Sequence, residues 1–164
     1  MQRSNSDSGL TAKRSVLETR LQNNKEQIFC EWRHRWVRLT PEEWVRQQLL
    51  HRMVEQLGYP ASLIAVETSI TVGEAKKRCD AVVYAKHSLP GGEGEGGVYP
   101  LLIIECKAET VPLTQKTLDQ AITYNRKLNV PYLLLHNGVQ TFLIHGTNTN
   151  TTGLPRYTDL LRCE

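Results

Sequence analysis

The sequence predicts an α/β fold, a mixed central sheet flanked by helices on both faces. Three observations carry this reading. Segments 40–58 and 113–130 carry apolar residues at helical spacing, and 40–58 also bears helix start and stop signals. Around them lie short runs rich in aliphatic and β-branched residues, bounded by Gly, Pro and Asn. The core order is then helix, three strands, helix, strand, which layers helices on a sheet.

Each element has its own justification. Residues 1–8 are small and polar, the composition of a disordered terminus. LTAKRSVLETRLQ at 10–22 is weakly helical, with Thr11 or Ser15 available as a cap. QIFCEWRHRWVRL at 27–39 alternates and reads as two short strands about a tight turn near Arg33-His34. In TPEEWVRQQLLHRMVEQLG at 40–58, Thr40 suits the N-cap, Pro41 the first helical position, and Glu43 the third residue of a capping box. Val45, Leu49, Met53 and Leu57 form its apolar stripe, and Gly58 ends it.

SLIAVETSITV at 62–72, RCDAVVYA at 78–85 and YPLLIIECKA at 99–108 read as strands. HSLPGGEGEGGVYP at 87–100 is a Gly-rich hairpin loop. LTQKTLDQAITYNRKLNV at 113–130 is the second helix, with Leu118, Ile122 and Leu128 on its apolar side. PYLLLHNGVQTFLIHG at 131–146 is a strand, an Asn137-Gly138 turn of type I′, and a return strand. The Thr/Asn-rich tail from Thr147 ends in the short segment YTDLLRC. The expected organisation is a polar tail and short helix over 1–26, one globular domain over 27–146, and a tail over 147–164.

A chain of 164 residues suits one domain that buries about 70% of its unfolded surface, without disulfide or metal staples. The formal charge of +3 is too mild to define a nucleic-acid binder, so the basic clusters RHRWVR at 33–38 and KKR at 76–78 matter more. Trp32, Trp36 and Trp44 lie among arginines, which suits either stacking on nucleic acid or packing of the hairpin on the first helix. Cys30, Cys79, Cys106 and Cys163 form no C-x-x-C pair and read as free thiols of a reducing compartment. The five histidines lack metal-ligand spacing, and GGEGEGG lacks the strand-to-helix context of a phosphate loop. No run approaches a membrane span, so the expectation is a cytoplasmic protein with no membrane partner.

The chemistry concentrates in LLIIECKAET at 101–110. Side chains two apart on a strand share a face, so Glu105 and Lys107 project together at the end of an aliphatic strand. If the strands carrying Asp80 and Glu105 are neighbours, the two carboxylates meet at one sheet end. Their repulsion is relieved by a divalent cation, and oxygen-only ligands favour Mg²⁺ or Mn²⁺. Such an ion polarises a phosphate and lowers the pKa of a bound water, while Lys107 orients water or offsets charge. The plainer alternative is a surface ion pair worth about 0–1 kcal/mol.

Asp80, Glu105-Cys106-Lys107 and the αβββαβ order resemble the PD-(D/E)xK nuclease superfamily. The stretches WVRLTPEEWVRQ, LGYPASLIAVE, KKRCDAVVY, LLIIECKAE, LDQAITYN and VPYLLLHNG resemble the N-terminal nuclease domain of type I restriction enzyme R subunits. The resemblance covers about residues 28–145. It implies a restriction-endonuclease-like core preceded by an N-terminal hairpin, with Asp80 and Glu105 as metal ligands and Lys107 as the catalytic lysine. It also implies roles for Gln120 and Tyr124, whose Q-x-x-x-Y spacing puts them on one helix face. The superfamily's further glutamate from the first core helix maps to Glu43, with Glu42 second; a capping box explains Glu43 equally well. Cys79 stands where the family pattern has proline, and the chain has no G-x-x-x-x-G-K-[ST] motor motif.

The expected function is therefore that of a stand-alone nuclease domain of restriction or repair type, a Mg²⁺- or Mn²⁺-dependent DNA endonuclease. Lys76, Lys77 and Arg78 would grip DNA phosphates. Expected partners are DNA, a second copy of the chain if both strands are cut, and restriction or repair subunits. The alternative is a non-catalytic nucleic-acid-binding or assembly module that keeps the nuclease fold.

Overall fold

The computed structural model describes residues 17–87, 96–146, 148–150 and 153–162. Two sheets organise it. Strands β1 (Thr19–Gln22), β2 (Lys25–Cys30) and β3 (Arg35–Arg38) form an antiparallel three-stranded sheet. The second sheet has the order β4 (Ile64–Val72), β5 (Ala75–Lys86), β6 (Val98–Cys106), β7 (Tyr132–His136), β8 (Thr141–His145) and β9 (Asn148–Asn150). It is mixed, because β6 and β7 pair in parallel and every other pair is antiparallel. Helix α1 (Pro41–Leu57) precedes β4, α2 (Gln115–Leu128) crosses from β6 to β7, and α3 (Tyr157–Leu161) closes the chain. The expected core order of helix, three strands, helix and strand is present from α1 to β7.

Helices cover both faces of the second sheet. Val45, Leu49, Leu50 and Met53 of α1 pack with Ala81, Val83, Leu102, Ile104 and Leu134, and Leu160 of α3 joins the same cluster. On the other face Leu118 and Leu128 of α2 pack with Val82, Ile103, Leu133 and Leu135. Alternation along the strands assigns successive residues to the two clusters, as with Leu133 and Leu134 of β7. β7 is buried along its whole length, as a parallel-paired strand with both faces covered must be.

Local signals hold at the helix ends. The Thr40 side chain accepts from the Glu43 N–H at 3.1 Å, Pro41 opens α1, and Gly58 at φ 74° closes it. Thr114 caps α2, and Asn129 ends it in the left-handed region.

Four expectations need correction. The described end of segment 10–22 is not helical, because Thr19–Gln22 forms β1. Asn23 and Asn24, at φ 50° and 57°, make the two-residue turn that folds it onto β2, and two positive φ values suit a primed hairpin. The Asn137-Gly138 turn is not type I′, since only Gly138 has positive φ. A four-residue loop instead joins the His136–Thr141 pair, with the Asn137 carboxamide accepting from the N–H groups of Val139 and Gln140. The segment after Thr147 is more than a tail: β9 extends the sheet and Leu160 is buried. Of the Gly-rich stretch 87–100, residues 88–95 lie outside the described residues, while Val98–Pro100 belong to β6.

The three tryptophans separate. Trp32 packs edge-on against His51 of α1, as the packing reading expects. Trp36 lies under the Arg20 guanidinium instead, and Trp44 is 38% exposed.

Candidate active site

The site begins at a fault in the β4–β5 ladder. Val66 pairs with Ala81 and Thr68 with Cys79, which leaves Glu67 opposite Asp80 between them. Glu67 has φ 45°, a left-handed conformation that a non-glycine residue holds at a cost of about 1–3 kcal/mol. Side-chain alternation breaks here as well: Cys79 packs in the α2-side cluster and Ala81, two residues on, in the α1-side cluster. The register is not shifted across this missing pair, and Asp80, just before the break in alternation, faces Arg46 of α1.

Asp80 is held at two atoms. Its Oδ2 accepts from the Cys106 N–H at 2.7 Å, and its Oδ1 lies 3.4 Å from Arg46 Nη1. Ala81 pairs with Ile104, so Asp80 and Glu105 stand at the same end of adjacent strands, as expected. Their immediate partners differ. Glu105 Oε1 lies 2.7 Å from Lys77 Nζ, on the side of Ile103, whereas Asp80 meets Arg46 of α1. Burial pushes the Glu105 carboxyl above the usual carboxylate range. Lys77 and Lys107 oppose that shift, and the Asp80 charge adds to it. Lys107 lies just past the end of β6, where its N–H donates to the His136 carbonyl at 2.9 Å.

Glu43 does not form the reciprocal half of a capping box. Both carboxylate oxygens enter a closed ring of charges. Arg33 Nη2 lies 2.5 Å from Glu43 Oε1, and Glu43 Oε2 meets Arg46 Nη2. Arg46 Nη2 lies 3.3 Å from Glu67 Oε1, and Glu67 Oε2 lies 2.8 Å from Arg33 Nη1. Gln47 Nε2 adds a hydrogen bond of 2.7 Å to Glu43. The ring is neutral, with two guanidinium groups and two carboxylates, and Arg46 reaches out of it to Asp80. Although burial opposes ionisation, the two arginines hold Glu67 below the usual carboxylate range. Arg33 also donates to Cys30 Sγ at 3.1 Å and, despite burial, helps to bring that thiol below its ordinary value.

Glu42 lines the same cavity as Asp80, Glu43 and Glu67. Gln120 sits on the exposed face of α2 and makes no hydrogen bond to Asp80, Glu105 or Lys107. Tyr124 is a residue of α2 whose side chain lies outside the described residues. The basic run splits by strand alternation: Lys77 turns to Glu105, while Arg78, 75% exposed, lies 3.9 Å from Glu67 and Lys76 is exposed. Sequence reasoning missed Arg33, Arg46 and Glu67. The pattern contained no signal for Glu67 except its place in an otherwise β-branched run.

The donor set bears on the expected metal. Asp80 and Glu105 are partly exposed carboxylates, with side chains 32% and 19% accessible, and burial raises the Glu105 pKa despite Lys77 and Lys107. Among the described residues no three His, Cys, Asp or Glu groups converge as a metal cluster. Two carboxylates are nonetheless a suitable protein contribution for Mg²⁺, which keeps several waters and takes further oxygens from phosphate. The residues fit that ion better than zinc, whose sites take three or four protein ligands, mostly His and Cys.

Residues 41–156 match a family model described as type I restriction enzyme R protein N terminus. No curated protein matches the chain. Among solved structures, the chain is similar to a fragment assigned to an HsdR subunit of a type I restriction enzyme from Vibrio vulnificus YJ016. The TM-score is 0.53 at 16% identity, with 76% of this chain and 25% of the other covered. That likeness is one of fold, and the chain spans about a quarter of the length of the structure it resembles.

Proposed function

The chain belongs to the type I restriction enzyme R protein N-terminal family, and from that membership we propose that it is a Mg²⁺- or Mn²⁺-dependent DNA endonuclease domain of PD-(D/E)xK type. One observation carries the reading: Asp80 and Glu105 stand at the same end of adjacent strands, beside a strained break, with Lys107 next to Glu105. Asp80 and Glu105 would hold the ion, whose charge replaces that of Arg46 and Lys77 as their compensation. A bound Mg²⁺ supplies Lewis-acid polarisation of the scissile phosphate and activation of water. Lys107 offers an ammonium to the charge that develops on the phosphate. The Cys106 N–H fixes the orientation of Asp80, and Arg46 holds it from α1. Glu43 supports the site through Arg46, while Gln120 and Tyr124 belong to the reading only as the Q-x-x-x-Y pair of α2 that the family resemblance implies. Three buried free cysteines among the described residues support a cytoplasmic setting, and the partners in this reading are DNA, restriction or repair subunits and, for double-strand cutting, a second copy.

A second reading, a non-catalytic DNA-binding or assembly module, is favoured by the separate cationic partners of the two carboxylates, Arg46 for Asp80 and Lys77 for Glu105. Incubation with supercoiled plasmid and with duplex oligonucleotides in Mg²⁺, Mn²⁺ or EDTA separates the two. Nicking or linearisation that EDTA abolishes supports the nuclease. DNA binding with no cleavage in either metal supports the module.

A further inference from the structure

The three-stranded sheet precedes the region matched by the family model, and its outer face has a chemistry of its own. The pairs Arg20–Gln27, Gln22–Lys25, Phe29–Trp36 and Gln27–Arg38 place all seven of these residues on one side. Ile28 and Cys30, fully buried, lie on the other side with Val37. The outer face therefore carries three cations, two carboxamides and two aromatic rings. Glu26 alternates to the opposite side, whereas Glu18, whose carbonyl accepts from the Phe29 N–H just before β1, is an acid at the edge of this face.

The face is also preorganised. Arg20 Nε donates to Gln27 at 2.8 Å and its Nη2 to Gln22 at 2.6 Å, while its guanidinium carbon lies 4.2 Å from the Trp36 ring centroid. Phe29 meets Trp36 edge-on at 5.5 Å. An arginine stacked in this way keeps its charge near the surface with less rotamer freedom to lose on binding. Arg20 and Arg38 flank Gln27 on successive strands, about 10 Å apart across the sheet. Arg38 also lines the cavity that contains Asp80, so the face leads to the candidate site.

The geometry points to duplex DNA as the occupant of this face, bound through its phosphates by Arg20, Lys25 and Arg38. Charge complementarity selects it, because the face offers three cations and two carboxamides against one carboxylate, that of Glu18 at its edge. The chain's own first 16 residues do not complement it, since Arg3, Lys13 and Arg14 outnumber Asp7. The inference deepens the nuclease reading by moving the docking surface from Lys76–Arg78 to the hairpin sheet, and it is tested without cleavage.

The experiment measures binding of the full chain to fluorescent duplexes of several sequences in EDTA, across a salt titration. Arg20→Gln/Lys25→Gln/Arg38→Gln should weaken binding equally for all sequences and reduce the magnitude of the log–log salt slope by about 3, one per phosphate contact. Lys25→Gln/Arg38→Gln, which keeps Arg20 on Trp36, should lose about 2 and guards against misfolding of the triple variant. Unchanged affinity and slope in both variants, or no duplex binding by the unaltered chain at low salt, would overturn the proposal. So would equal affinity for polyglutamate, which would show that the face reads negative charge alone. If the chain binds duplex through this face yet never cleaves it, the docking proposal stands and the nuclease reading falls.

Discussion

Lys107 and Glu105 lie two residues apart at the end of β6, yet substitution should affect them in opposite ways. Lys107 is no metal ligand, so Lys107→Ala should fold and bind Mn²⁺ as before while cleavage falls roughly 10²–10³-fold, the effect of losing one transition-state donor. Isothermal titration with Mn²⁺ beside single-turnover cleavage checks both halves. Lys107→Arg should restore only part of the rate, because a planar guanidinium replaces a compact charge. For Glu105, burial and Asp80 together outweigh Lys77 and Lys107, and the folded pKa is raised. A raised carboxyl contributes stability below its unfolded pKa that is lost as pH rises through the folded value. Glu105→Gln should therefore match the parent in acid and melt about 2 °C higher at neutral pH, a stabilisation of under about 1 kcal/mol. Parallel melting curves for both proteins at every pH would remove that assignment.

At the scale of elements, the charge ring ties together the turn after β2, helix α1 and strand β4. Arg33 is its contribution from the hairpin, with a side chain 12% exposed and ion pairs of 2.5 and 2.8 Å. Breaking one partner of a buried pair leaves uncompensated charge, and Arg33→Met should cost about 3 kcal/mol in urea unfolding with an unchanged slope. Arg33→Lys should recover less than half, because one ammonium does not reproduce a fork that spans two carboxylates. A loss below about 0.5 kcal/mol would reduce the ring to a surface feature. Glu43 shows why this was illegible in the chain: Thr-x-x-Glu is a capping-box pattern. Only the approach of Arg33 and Arg46 diverts its carboxylate from the helix end.

Across the whole molecule, the C-terminal segment is part of the folded unit. Tyr157 donates to the Tyr84 carbonyl at 3.2 Å, Tyr59 donates to the Pro155 carbonyl at 3.1 Å, and Leu160 is 2% exposed. Leu160→Ala should cost about 2–5 kcal/mol and lower the melting temperature by about 5 °C or more. An unchanged melting temperature would mean that α3 does not pack on the core in solution. Metal gives the complementary test. At ten times its dissociation constant Mn²⁺ should add about 1.4 kcal/mol of stability, and Asp80→Asn should abolish the gain.

The order of elements from α1 to β7, the start of α1, its apolar stripe and the placement of Asp80 and Glu105 at one sheet end were readable from the chain. Each rests on local propensity, capping chemistry or strand periodicity, which act over a few neighbouring residues. The Asn23-Asn24 hairpin was readable in principle but lost to a weak helical pattern over 10–22. Tertiary structure alone decided the partners of each charge. Asp80 met Arg46 beside the break at Glu67, alternation separated Lys77 from Lys76 and Arg78, and hairpin docking brought Arg33 to Glu43. Ion pairs form between residues tens of positions apart, and no periodicity encodes which pairs will meet. The chain carries the inventory of charged groups, and the packing of β4, β5 and α1 decides which of them compensate one another.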